Sequence, residues 1–324
     1  MGIGLSFLLL LIGIVILLWA GDWMVRGAAS LARHWGIPAL IVGLTIVAFG
    51  TSAPELVVAI QAVLNGAGDL AAGNVVGSNI ANVLLALGAP ALIMAIPTNM
   101  PGVARNAFVC MIATLVFILL AFLHNPMQIW QGAILFAGIL IYLVWMFRLG
   151  SAGADDPILQ EMTEIDEGED GLPDAVWKSG LFVIVGIIGL AIGGNLIVDN
   201  AVNIAKILGI SNTIIGLTIV AIGTSLPEVA TVLVAARRGH SEVAIGNVLG
   251  SNVFNLFAVM GAATLAGPVA IAKELYVFDM WVMLVAMAAL MMFILTRQPI
   301  GKKTGAIFLI GYALYIAAIV ARVV

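Results

Sequence analysis

GLTIVAFGTSAPE fills residues 43–55, and GLTIVAIGTSLPE fills residues 216–228, 173 positions later. A second block keeps the same spacing: GNVVGSNIAN at 73–82 returns as GNVLGSNVFN at 246–255. The shift of 173 also carries Gly36 to Gly209 and Gly88 to Gly261, so residues 1–149 map onto roughly 174–322. An internal repeat of this length states that one structural unit is used twice. The repeat keeps more than the apolar letters that plain packing would keep: Gly, Thr, Ser, Pro, Asn and Glu return as well, residues that carry chemistry.

Those blocks sit in an unusually apolar chain. Of 324 residues, 63% are hydrophobic and 9% charged, with a mean hydropathy of +1.18. Soluble domains run at about 45–50% apolar and about 25% charged. So few charges cannot coat a water-soluble globule, and so much apolar surface excludes disorder. Thirteen Lys+Arg against 17 Asp+Glu, with no basic stripe, exclude a nucleic-acid binder. The one cysteine, Cys110, lies in an apolar run, so neither an intrachain disulfide nor a cysteine metal site is available.

An all-α integral membrane protein remains. A spanning helix takes about 20 apolar residues, and ten stretches qualify: 3–21, 38–64, 70–96, 104–123, 128–147, 178–205, 211–236, 241–265, 275–296 and 303–322. The first lacks the basic flank and A-x-A-like site of a signal peptide, so it is taken as a span. The expected organisation is a first five-helix repeat (1–149), an acidic linker (150–177) and a second five-helix repeat (178–324). The linker holds nine of the 17 acids, from Asp155 to Asp174. Its Asp166–Gly171 stretch has the opening of a calcium loop but fails at Gly168 and Trp177. Five spans per half make the second half enter the membrane from the opposite side, which is the inverted repeat of secondary transporters, with the site at the interface of the repeats. Ten of the thirteen Lys and Arg residues fall on the face opposite the termini, and Lys206, Lys273 and Arg322 on the terminal face. The positive-inside rule then places the linker in the cytoplasm and both termini outside, in a plasma (inner) membrane.

The residues within the blocks suit an ion. Pro54 has no N–H and Gly50 permits a bend, so the second span should break there and free carbonyls near Ala48, Phe49 and Gly50. Pro227 should do the same near Ala221 and Ile222. Glu55 and Glu228 follow these breaks. A carboxylate at the bilayer centre costs about 2.5–3.5 kcal/mol or more, no Lys or Arg stands within the motifs, and a bound cation is the natural partner. Asn74, Ser78 and Asn82 share one helical face, repeated by Asn247, Ser251 and Asn255. Asn79 and Asn252 lie about 100° around from the serines and rank below them. An all-oxygen set without His or Cys suits hard cations, and a dense cage with two carboxylates favours calcium, with sodium able to use the same oxygens.

The paired G-T-S-x-P-E and G-N-x-x-G-S-N-x-x-N blocks resemble the two alpha repeats of the cation/calcium exchanger superfamily, nearest its prokaryotic sodium/calcium antiporters. The resemblance implies ten helices with ion sites between the second, third, seventh and eighth. It implies that Glu55 and Glu228 bridge calcium, and that Thr51, Ser52, Thr224, Ser225, Ser78, Ser251 and the backbones of Ala48 and Ala221 supply oxygens at calcium and sodium sites. Asn82 is then a polar member of the central site. Asn255 stands where the potassium-dependent branch carries Asp, which argues against potassium coupling. By analogy with the family, the long first and sixth helices (Gly2 to Trp35 and Lys178 to Leu208) become candidates for the moving gate. Arg26 and Asp199, equivalent under the repeat, are taken as helix-end markers rather than part of the ion path.

The expected function is sodium/calcium antiport by alternating access, with calcium/proton exchange on the same fold as the alternative. The ions are cargo and no cofactor is required; the bilayer is the only other partner expected. A channel fits poorly with inverted two-fold symmetry. An enzyme fits worse, because His34, His124 and His240 lie near helix ends, away from Ser52 and Ser225.

Overall fold

The computed structural model describes residues 2–37, 39–152, 173–207 and 221–323. Most of the acidic linker, with its Asp166–Gly171 stretch, and residues 216–220 of the second repeat block lie outside the described residues. The elements are α1 (Ile3–Trp35), α2 (Gly43–Thr51), α3 (Ala53–Leu64), α4 (Gly68–Ala91), α5 (Val103–Leu123), α6 (Ile129–Ala152), α7 (Val176–Ile207), α8 (Ala221–Thr224), α9 (Leu226–Arg237), α10 (Ser241–Ala266), α11 (Leu275–Leu295) and α12 (Lys302–Val323). Among the described residues, eight helices are long and apolar enough to cross a membrane. The bent pair α2–α3 makes a ninth.

Burial sorts the helices by composition. The Gly-, Ser- and Asn-rich α10 is buried throughout and α4 over most of its length, while α1, α6, α7 and α12 turn much of their apolar surface outward. Lipid is as apolar as leucine, so helices associate in a bilayer through close packing and polar contacts rather than hydrophobic burial. Small residues therefore mark the crossings. A Cβ on Gly250 of α10 would stand 2.5 Å from Leu44 O of α2. Along the α1–α7 seam, a Cβ on Gly27 would meet Ser179 O at 2.7 Å, and one on Gly193 would meet Leu17 N at 2.8 Å.

Several contacts exchange under the 173-residue shift. A Cβ on Gly132 of α6 would lie 3.0 Å from Gly261 O of α10; one on Gly305 of α12 would lie 2.8 Å from Gly88 O of α4. Each helix thus crosses onto the other half. Two antiparallel bridges behave alike, Ile96 with Ile300 and Met127 with Val269. Their N–H···O distances are 2.8–3.0 Å. The shift turns 96 into 269 and 127 into 300, so each bridge maps onto the other.

The long first helix forms as expected: α1 continues past residue 21 to Trp35, through Arg26 and Arg33. One expectation changes. Arg26 and Asp199 do not mark helix ends: both lie inside their helices. Arg26 faces Asp22 one turn back, at 3.7 Å, and its guanidinium sits 5.4 Å from the Phe182 ring centroid on α7.

Candidate cation site

The break at Pro54 forms as its chemistry requires. Helix α2 stops at Thr51, Ser52 leaves helical geometry at φ −90°, ψ 5°, and α3 restarts with Pro54 in its first turn. The two segments are bent by 49°. Ser225 adopts φ −90°, ψ 0° between α8 and α9, with Pro227 placed likewise. Each break sets a glutamate, Glu55 or Glu228, in the first turn of the helix that follows. The positive end of that helix's dipole favours a negative charge there.

Of the carbonyls expected to open, Ala48 O in the first half and Ile222 O in the second stay engaged. Ser52 N still donates to Ala48 O at 3.0 Å, and Thr51 Oγ1 approaches the same oxygen at 3.3 Å. The ladder runs one residue beyond α2 before the missing Pro54 N–H interrupts it, so Ala48 O is not freed. In the second half, Ser225 N turns three residues back to Ile222 O, at 3.1 Å, and so passes over Ala221.

The side chains interleave across the halves. Ser52 Oγ donates to Glu228 Oε1 at 3.0 Å. Thr51 Oγ1 lies 3.3 Å from Asn247 Oδ1 and 3.4 Å from Ser251 Oγ, and Ser251 Oγ is 3.5 Å from Asn247 Oδ1. Asn82 Nδ2 donates to Asn252 Oδ1 at 3.0 Å. Ala48, Thr51, Ser52, Glu55, Ser78, Asn82, Ser225, Glu228, Ser251 and Asn255 are all buried. The side chains of Ala221 and Thr224 lie outside the described residues.

Two residues outside the expected donor set belong to this network. Asn252 holds Asn82, and Asn247 receives Thr51. The backbone supplies a further signal, since a π-helical stretch begins at Asn82 and another at Asn255 (Asn82–Ala86 and Asn255–Val259). Single π turns are frequent at functional sites because the extra residue re-aims the side chains around it.

What distinguishes the cluster is its unmet oxygens. Among the described residues, both carboxylate oxygens of Glu55, Glu228 Oε2, Ser78 Oγ, Ser225 Oγ, Asn82 Oδ1 and both amide atoms of Asn255 are buried without a hydrogen-bond partner. Buried polar groups ordinarily find partners, and a bound ion is one of the few things that lets so many go without. The donors are two carboxylates plus neutral hydroxyl and amide oxygens. Among the described residues, no three His, Cys, Asp or Glu side chains gather as a metal cluster. The chemistry is that of a hard-cation cage. His34 in the last turn of α1, His124 at the end of α5 and His240 at the start of α10 stand at helix ends, as expected.

Comparison with known proteins agrees with this chemistry. The family model "Sodium/calcium exchanger protein" matches residues 5–148 and again residues 178–321. The sodium/calcium exchanger MaX1 of Methanosarcina acetivorans is 30% identical over 346 residues, covering 98% of this chain and 99% of its own. Inner membrane protein YrbG of Escherichia coli is 33% identical over 319 residues, covering 97% and 96%. The sodium-calcium exchanger NCX_Mj, in a structure soaked with Na⁺ and Sr²⁺, superposes with a TM-score of 0.82 at 30% identity, covering 98% of this chain and 99% of that one. This multi-pass membrane chain, matched in both halves and along nearly its whole length, belongs to the sodium/calcium exchanger protein family.

Proposed function

We propose that the protein is a sodium/calcium antiporter working by alternating access, built as ten transmembrane helices in two inverted five-helix repeats. The mutual exchange of the Ile96–Ile300 and Met127–Val269 bridges supports that architecture. The observation that carries the function is the Glu55–Glu228 pair, buried between the halves with three of its four carboxylate oxygens unpartnered among the described residues. Around it, Thr51, Ser52, Ser78, Asn82, Thr224, Ser225, Ser251 and Asn255 are the side-chain donors. Ala221 and Ala48 are the backbone donors, Ala48 only where it releases the Ser52 amide. The linker at 150–177 is cytoplasmic and both termini are outside.

The charge of the site explains exchange. With Ca²⁺ bound, two carboxylates are balanced; with two Na⁺ they are balanced again. A third Na⁺ leaves +1 and makes the cycle electrogenic. Empty, the carrier must take two uncompensated charges through an occluded, low-dielectric state, at a cost of several kcal/mol per ion. Return without a cation is thereby blocked, and influx of one ion is tied to efflux of the other.

The test is calcium-45 uptake into vesicles reconstituted with the purified protein, with sodium and proton gradients imposed one at a time. Uptake driven by an outward sodium gradient at constant pH is expected. Uptake driven by a pH gradient alone, and indifferent to sodium, contradicts sodium coupling and selects calcium/proton exchange on the same site.

A further inference from the structure

Asn82 and Asn255 are equivalent in sequence, but their amides are held differently. Asn82 Nδ2 is committed to Asn252 Oδ1 at 3.0 Å, while Asn82 Oδ1 is buried without a partner among the described residues. Asn252 is oriented in turn by Asn79 O, 3.5 Å from its Nδ2. Asn79, the repeat counterpart of Asn252, does not return the favour to Asn255. Its Nδ2 donates to Val75 O in its own helix at 2.7 Å, and both amide atoms of Asn255 stay unpartnered among the described residues. An amide carries its donors on one side and its acceptor on the other, so engaging Asn82 Nδ2 leaves the buried Asn82 Oδ1 as the atom of that amide open to a ligand.

We propose that Asn252 is a positioning residue: it fixes the Asn82 amide so that a carbonyl oxygen, rather than an NH₂ group, faces the transported cation. The assignment rests on the central-site reading given above. Partners behind a metal ligand typically change affinity by about 10–100-fold when removed. Asn252→Ala is therefore expected to raise the calcium concentration for half-maximal uptake about tenfold. In an Asn82→Ala background the same substitution is expected to add nothing, because the residue it acts through is gone. Losses that add in the double variant overturn the proposal, since they mean that Asn252 acts through general structure. Asn252→Ser, whose hydroxyl can accept the same hydrogen bond, carries the cycle if Asn252→Ala is not recovered folded. Near-wild-type affinity then supports the proposal, and a loss that adds to that of Asn82→Ala overturns it. Glu55→Gln in the same assay separates the two levels: unchanged calcium affinity there is a failure of the central site itself.

A second inference stands on a separate observation, the unequal closure of the two halves. Nε and Nη2 of Arg238, just beyond α9, both reach Asp22 Oδ1 on α1. Arg26 stands 3.7 Å from the other Asp22 oxygen. The repeat turns Asp22 into Asn195 and Arg238 into Asn65, neither of which can form an ion pair; both are exposed. Packing follows the charges. A Cβ on Gly21 would touch Ala230 O and Val234 Cγ2 of α9 at 3.5 Å. Ala230 is 2% exposed, while its counterpart Val57 on α3 is 53% exposed.

We infer that Asp22 and Arg238 form a one-sided latch that closes the α1–α9 seam on the Arg238 face and has no equivalent on the other. An inverted repeat by itself gives the two access states equal energies, and one ion pair removes the tie. Partly exposed pairs of this kind bias an equilibrium by about two- to fivefold. In vesicles of known orientation, Asp22→Asn is expected to lower the half-saturating calcium on the Arg238 face and raise it on the opposite face, changing their ratio by about that factor. Building the latch at the mirror positions, with Asn195→Asp and Asn65→Arg, is expected to move the ratio in the same direction without removing any native contact. A ratio that neither change moves overturns the latch.

Discussion

At the scale of single residues, the two glutamates share one sequence motif but differ in their surroundings. Glu228 is steadied by the Ser52 hydroxyl at 3.0 Å, whereas Glu55 and Ser225, the mirror pair, make no such bond among the described residues. Hydrogen bonds to charged groups are worth about 1.5–3 kcal/mol. Ser52→Ala should therefore weaken calcium-dependent transport by about tenfold or more, and by more than Ser225→Ala. Half-saturation curves for the two variants check this, and equal effects contradict the asymmetry. The glutamates, the serines and the amide stripe were readable from sequence because an acid beside a proline-broken helix, deep in an apolar span, needs a counter-charge. Asn252 was not, because its value lies in what crosses from the neighbouring helix. A helical wheel places it about 100° from Ser251 but says nothing of Asn82 approaching from α4.

At the scale of helices, the break at Pro54 and its copy at Pro227 were legible because proline removes a defined hydrogen bond. The expectation that Ala48 is freed along with Phe49 and Gly50 fails. The ladder runs on to Ser52, and Ala48 O stays engaged. Helix α1 runs on to Trp35 although charged residues lower the hydropathy of the segment after residue 21; there Asp22 pairs with Arg238 and faces Arg26 one turn on. Glycine, by contrast, keeps helices together here by the absence of a side chain. A Cβ at position 250 would stand 2.5 Å from the backbone oxygen of Leu44, which cannot move aside as a flexible side chain would. Overpacking of this kind costs about 1–3 kcal/mol. Gly250→Ala is expected to lower the unfolding temperature of the detergent-solubilised protein; an unchanged melting curve contradicts the close α2–α10 crossing.

At the scale of the molecule, duplication accounts for most of the arrangement. The bridges at Ile96–Ile300 and Met127–Val269 and the glycine crossings at 132–261 and 305–88 exchange under one shift, so a single set of contacts is written twice. Departures from that symmetry give the carrier direction. The Asp22–Arg238 pair closes one side, while its repeat counterparts Asn195 and Asn65 carry no charge to pair. The proposed inversion rests on the odd number of spans expected per half. Unequal closure could not be read from the sequence, because it depends on an ion pair between residues 216 positions apart.

Sodium-driven calcium-45 uptake into reconstituted vesicles, compared for the wild-type protein, Glu55→Gln and Glu228→Gln, tests the central claim that two buried carboxylates are held together by the ions they carry. Removing one partner of a buried charge set costs about 3–5 kcal/mol. Each substitution is expected to cut uptake by about a hundredfold or more, with both variants still folded by gel filtration. Either variant transporting at the wild-type rate contradicts the claim and moves the cation path elsewhere in the protein.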